Sequence, residues 1–231
     1  MTRHVWRVAK YLAIGLAVAV VTSTTASAAL PADGPVVYVV GDSITLGTGV
    51  TDPTRSYANV VLDRVYGRDH SAGRIVAHGG QCLVFVGCAY PTPLVKSWAP
   101  EVLNATPTPT TIVLLIGVND LQHATVSDME TAYMSLVQQA SDLGIRVIVG
   151  TITPRDANIW WPSYWDWGPQ EDQINTWIRA TFGSNVADFN TALKNPAVDN
   201  WGARTGTMST DGLHPSVYGA ADMAYAVPIG I

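Results

Sequence analysis

The sequence predicts an α/β fold, a three-layer α/β/α sandwich around a mainly parallel five-stranded sheet. Short apolar runs rich in Val and Ile, at 36–40, 74–77, 111–116, 146–151 and 185–188, lack the polar alternation of a half-solvated sheet, as strands buried on both faces do. Helix-like segments separate them. Strand and helix alternating about five times imply a parallel sheet with right-handed crossovers and helices on both faces. In such sheets ligands bind outside the carboxyl ends of the strands, so chemistry is expected in the loops that follow them.

Along the chain, the first strand runs straight into Gly41-Asp42-Ser43, and a helix is expected over 56–66. The second strand leads to Gly79-Gly80. "TPTPT", residues 106–110, is a loop before the third strand, which leads to Gly117-Val118-Asn119-Asp120. Ser127 and Glu130 have capping-box spacing, opening a helix over 127–143 that Gly144 ends. After the fourth strand, Pro154, Pro162 and Gly168 predict a loop around "IWWPSYWDW", residues 159–167. On the ligand side of the sheet, its Trp160, Trp161, Trp165 and Trp167 are expected to line a substrate pocket and set substrate preference. Helices over 170–181 and 216–227 complete the series. There are no internal repeats.

The first 28 residues stand apart from this fold. Arg3, Arg7 and Lys10 form a basic region, residues 11–21 an apolar stretch, and Ala26-Ser27-Ala28 a small-residue cleavage site, the plan of a secretory signal. The apolar stretch is shorter than the roughly 20 residues a membrane-spanning helix needs. Cleavage after Ala28, export, and no stable membrane span in the mature chain are expected, leaving residues 29–231 as one domain. Without Arg3, Arg7 and Lys10 the 13 basic residues fall to 10 against 18 acidic ones, a net charge of −8. That charge argues against nucleic acid as a partner. Cys82 and Cys88 are the two cysteines, and in an exported chain they are expected to pair as a disulfide. A metal site is not expected, since His78 is the nearest histidine and no Cys-x-x-Cys spacing occurs.

Four loops carry polar residues with complementary roles. A serine hydroxyl becomes a nucleophile when a base takes its proton, and a carboxylate must fix the tautomer of that base. Ser43 supplies the hydroxyl, and Asp211 and His214 the other two from one loop, "DGLHPS". An oxyanion formed by attack on a carbonyl needs preorganised donors, which the Gly79 backbone and the Asn119 side chain can provide, with Gly80 the alternative to Gly79. Singly, each motif is a common polar turn or cap. Asp120 competes with Asp211 for His214 but better suits loop bracing, and Asp42 is read as structural. His78 is either a substrate contact or a packed side chain at the sheet edge; His70 and His123 are read as surface or loop residues.

Taken in order, these blocks resemble those of the SGNH hydrolases, the GDSL-type lipases and esterases, over residues 36 to about 227. "GDSIT" is similar to the first block with Ile44 in place of Leu, "IGVND" to the block with the oxyanion asparagine, and "DGLHPS" to the acid and base block. "AHGGQC" departs from the second block, with Ala77 where an Asn often stands. The resemblance implies a flavodoxin-like sandwich with Ser43 as nucleophile, His214 as base, Asp211 as orienting acid, and the Ser43 amide, Gly79 and Asn119 as oxyanion donors. It implies a serine carboxylic ester hydrolase that needs no cofactor and acts on an acyl ester, lipid or acetylated sugar; with the signal plan of residues 1–28 the enzyme is expected to be secreted, and a monomer is expected. An acetyl esterase of polysaccharides and a non-catalytic glycan-binding protein are the alternatives.

Overall fold

The computed structural model describes residues 34–156, 159, 164–195 and 202–229; the signal segment lies outside them. Five strands form one all-parallel sheet: β1 (Val37–Gly41), β2 (Arg74–Ala77), β3 (Thr111–Leu115), β4 (Arg146–Gly150) and β5 (Val186–Ala187). Their spatial order is β2-β1-β3-β4-β5. The strand positions agree with the apolar runs, because Val37 to Val40, Ile112 to Leu115 and Val147 to Val149 are buried under layers on both faces. The edges are blunted: β5 is two residues long and β2 carries exposed Arg74.

Between and after the strands come α1 (Ser43–Leu46), α2 (Tyr57–Tyr66), α3 (Leu94–Ser97, continuing into a wider π-type turn, Trp98–Leu103), α4 (Val126–Asp142), α5 (Tyr164–Phe182), α6 (Phe189–Leu193) and α7 (Val217–Ala226). The chain moves one way from β1 to β2 and the other way from β2 to β5. Right-handed crossovers therefore send α2 to one face and α4 and α5 to the other. Accordingly α7 packs on α2 and α6, while α4 packs on α5. The direction reverses between β1 and β3, which opens a crevice at the carboxyl ends of these two strands. No described helix is long and apolar enough to cross a membrane.

The short helices α1, α3 and α6 are not among the elements the sequence predicts, and two predicted helices begin elsewhere than expected. Helix α4 begins at Val126 with Thr125 as its cap, two residues ahead of Ser127. The Thr125 hydroxyl accepts from the Asp128 N–H at 3.1 Å, the Asp128 carboxylate accepts from the Thr125 N–H at 3.2 Å, and the earlier start gains a Met129 N–H to Thr125 carbonyl bond. Helix α5 starts at Tyr164 rather than 170, so Trp165, Trp167, Gly168 and Pro169 are helical and not in a loop. Its inward stripe is Trp167, Glu171, Ile174, Asn175 and Ile178, at the three- and four-residue spacing of one helix face, and all five are buried. Burial of that stripe offsets the hydrogen bond that Pro169 cannot donate.

Candidate active site

The strand register levels the loops. Gly41 pairs with Ala77 on one side and with Leu115 on the other. Ser43, Gly79 and Gly117 consequently stand two residues beyond aligned strand ends, around the β1–β3 crevice. Gly41 itself must be glycine, because a Cβ there would lie 2.0 Å from the Leu115 carbonyl oxygen and 2.2 Å from Thr45 Oγ1.

Ser43 is the first residue of α1. The preceding Asp42 is buried and extended, and its Oδ1 accepts the Ile44 N–H at 2.9 Å as a helix cap. With its neighbour tied into the helix start, Ser43 stays half-buried at the crevice. Its Oγ lies 2.8 Å from His214 Nε2, and His214 Nδ1 lies 2.6 Å from Asp211 Oδ2. An ionised carboxylate only accepts, so Nδ1 carries the ring proton and Nε2 is left to accept from the Ser43 hydroxyl. Asp211 stays ionised. Partial burial pushes its pKa upward, but the His214 ring, the His214 and Leu213 N–H groups and the Ser209 hydroxyl together hold it well below the usual carboxylate range.

Asn119 sits in the turn after β3 and donates through Nδ2 to the Gln81 carbonyl at 2.9 Å. An amide carries two N–H bonds, and this contact uses one of them. Neither the Ser43 nor the Gly79 N–H donates to a protein acceptor among the described residues. The two candidate glycines are distinct. Gly80 has φ +72°, and a Cβ there would lie 2.6 Å from Ala89 Cβ, so its glycine serves the turn and its packing. Gly79 has nothing within 4 Å of where a Cβ would be, leaving the open face.

Asp120 does not share the Asp211 position. It is buried, and its two carboxylate oxygens accept the N–H groups of Leu83, Val84 and Phe85. Cys82 and Cys88 are joined as a disulfide around that segment. His78 pairs with Glu101 at 2.7 Å and stacks on Tyr90, His70 contacts Asp63, and His123 stacks on Phe85.

The expected tryptophan wall is corrected at Trp167, which is 2 % exposed and packs in the core with the Arg155 guanidinium 3.9 Å from its ring centroid. The helical start of α5 turns this side chain inward. Trp160, Trp161 and the Trp165 side chain lie outside the described residues.

Several contributors were not singled out in the sequence. The Ser209 hydroxyl donates to Asp211 Oδ1 at 2.7 Å, the Gln81 carbonyl receives Asn119, and Gly49, with φ +89°, lets its loop pass where a Cβ would lie 2.7 Å from His214 Cβ. Ser209 is only two residues before Asp211, the one short-range signal among them. Among the described residues no group of three or more His, Cys, Asp or Glu side chains could hold a metal ion.

Solved structures share this architecture at low identity. A Bacteroides fragilis protein provisionally named an acylhydrolase aligns at TM-score 0.65 and 20% identity over 85% of this chain and 86% of its own. A GDSL-like lipase from Bacteroides thetaiotaomicron gives 0.60 and 18% over 82% and 84%. A mutant of an acetyl-xylooligosaccharide esterase from Geobacillus gives 0.60 and 22% over 84% and 92%. No curated protein matches the sequence. The model of the GDSL-like lipase/acylhydrolase family matches residues 39–221, most of the chain and all the loops around Ser43. The chain therefore belongs to the GDSL-like lipase/acylhydrolase family, hydrolases that act on esters.

Proposed function

We propose that the protein is a secreted serine carboxylic ester hydrolase working through an acyl-enzyme. The observation that carries this reading is the continuous chain from Ser43 Oγ to His214 Nε2 at 2.8 Å and from His214 Nδ1 to Asp211 at 2.6 Å, beside unengaged backbone N–H groups. Ser43 Oγ attacks the ester carbonyl as its proton passes to Nε2, and Asp211 stabilises the imidazolium. The Ser43 and Gly79 amides and the second Asn119 N–H receive the oxyanion. His214 then protonates the leaving alcohol, and water attacks the acyl-enzyme by the same route with His214 again as base. Each step uses side chains, backbone amides and water.

Ser43→Ala is expected to lower turnover of a short aryl ester by about 10³-fold or more with an unchanged circular dichroism spectrum. An alkyl phosphonate should add its phosphorus to Ser43 Oγ with loss of its leaving group. Peptide mapping of the adduct to another serine would overturn the assignment. Export rests on the basic, apolar and small-residue plan of residues 1–28. Recovery from the culture medium of a chain beginning at Ala29 supports it, and a cell-retained chain beginning at Met1 refutes it.

A further inference from the structure

We infer that the disulfide-closed loop from Cys82 to Cys88 is a positioning device for the side-chain amide of Asn119. The inference rests on the oxyanion role proposed above for that amide. Three contacts tie the turn to the loop. Asn119 Nδ2 donates to the carbonyl of Gln81, the residue before the bridge, at 2.9 Å. The buried Asp120 carboxylate accepts three successive N–H groups inside the bridge, Leu83 at 2.6 Å, Val84 at 2.9 Å and Phe85 at 3.0 Å. The Cys88 sulfur lies 3.7 Å from the Asn119 carbonyl oxygen, a packing contact, since a bridged sulfur carries no proton.

The loop is itself anchored. Gln81 is buried, and its Nε2 donates to the Thr92 carbonyl at 3.0 Å and lies 3.2 Å from Ser97 Oγ; Leu94 N–H donates to the Cys82 carbonyl at 2.8 Å. Aiming three consecutive N–H groups at one carboxylate requires a concave backbone that an open segment visits rarely. The bridge removes much of that freedom. With it open, residues 83–88 regain their conformers, Asp120 loses the amides that stabilise its charge in a buried site, and Asn119 loses its fixed neighbour. The expected signature is a fall in kcat at nearly constant KM, because a misplaced oxyanion donor is felt when charge develops on oxygen.

Cys88 is the more accessible sulfur, Cys82 being buried. One dithiothreitol thiolate attacks Cys88 Sγ, Cys82 leaves as thiolate and takes a proton, and the second thiol resolves the mixed disulfide. The products are two protein thiols and one cyclic oxidised dithiothreitol.

The experiment is a double-mutant cycle on a short aryl ester, with wild type, Asn119→Ala, Cys82→Ser with Cys88→Ser, and the triple variant. Removing a donor outright costs about 10² to 10³ in kcat, so loss of the bridge, which only loosens the donor, should cost roughly 10-fold with KM nearly constant. In the Asn119→Ala background the same loss should cost less than about 2-fold, because there is no amide left to misplace. Dithiothreitol on the folded wild type should reproduce the effect, reoxidation should reverse it, and the cysteine-free variant should not respond. If the cysteine-free variant does not fold, reduction of wild type and Asn119→Ala supplies the same cycle, with circular dichroism as the folding check. Equal losses in both backgrounds, or an unchanged kcat on reduction, would overturn the inference. An unchanged kcat in Asn119→Ala alone would overturn both the oxyanion role and the inference built on it.

Discussion

Asp42 and Ser43 adjoin in sequence but serve opposite needs: the serine must face the crevice, and the aspartate must hold the backbone that aims it. Burial pushes the Asp42 pKa up to about 7 against the lowering effect of the Ile44 N–H, and the nearby Asp120 charge adds to the rise. Its second oxygen, Oδ2, has no hydrogen-bond partner among the described residues, and Tyr57, which bonds Thr45, is also pushed up, mainly by burial and further by the Asp42 charge. A carboxyl raised in the folded state contributes no penalty below its unfolded value near 4, and stability is lost as pH climbs from there through about 7. Asp42→Asn keeps an oxygen for Ile44 and cannot ionise. Its unfolding free energy should therefore gain on wild type by up to about 4 kcal/mol between pH 4 and pH 7.5. The slope is the readout, since a buried amide N–H without an acceptor shifts the difference equally at every pH. Urea unfolding at four pH values checks it, and a constant difference would refute the burial effect. At this scale Ser43, Asp211, His214, Asn119 and Asp120 were legible because they sit in short motifs, whereas Gln81, whose contribution is a backbone carbonyl, and Gly49, whose contribution is an absent side chain, leave no local pattern.

At the scale of elements, the strands were legible because two-sided burial demands unbroken apolar runs, and the runs end within a residue or two of the strands. Helix starts were less so. Two overlapping patterns, Thr125 to Asp128 and Ser127 to Glu130, satisfy the same capping rule, and the earlier one prevails because it adds the Met129 N–H to Thr125 carbonyl bond. Gly168 spoke for a loop by local chemistry, but the buried stripe from Trp167 to Ile178 makes it helical. The caps give a direct check. Thr125→Ala should cost about 1 kcal/mol by urea unfolding and leave kcat unchanged, since α4 carries no residue of the proposed site. Ser127→Ala should stay within about 0.5 kcal/mol. The reverse ranking would return the cap to Ser127.

At the scale of the whole molecule the proposed site lies where the sheet changes direction, and one short stretch after β4 contacts both sides of that crevice. Arg155 Nη2 donates to the carbonyl of Val118, next to Asn119, at 3.2 Å, and the following Asp156 N–H donates to the carbonyl of Gly212, next to Asp211, at 2.8 Å. The Arg155 carbonyl accepts from Ala203, and its guanidinium lies over the buried Trp167 ring. Behind it stands Glu171, whose pKa burial raises well above the usual carboxyl range while the Arg155 charge pulls it down. No motif marks Arg155, because Val118 after β3, Trp167 on α5 and Ala203 are distant from it in sequence and meet it only in the folded chain. Arg155→Met preserves the apolar stem against Trp167 and removes the charge and the donor to Val118. The stability cost should be about 1.5 to 3 kcal/mol, the range for a charge-assisted bond. If Arg155 also holds the proposed oxyanion turn against the proposed acid and base loop, kcat for a short aryl ester should fall roughly 10-fold with KM nearly constant, since both halves act together only when charge moves. Arg155→Lys retains the charge but not the planar fork, and should recover more of the stability than of the kcat. Urea unfolding beside steady-state kinetics separates the two effects: a loss of stability with unchanged kcat would make Arg155 a scaffold residue, and a parallel loss in Arg155→Met that Arg155→Lys only half repairs would make it the link between the halves of the site.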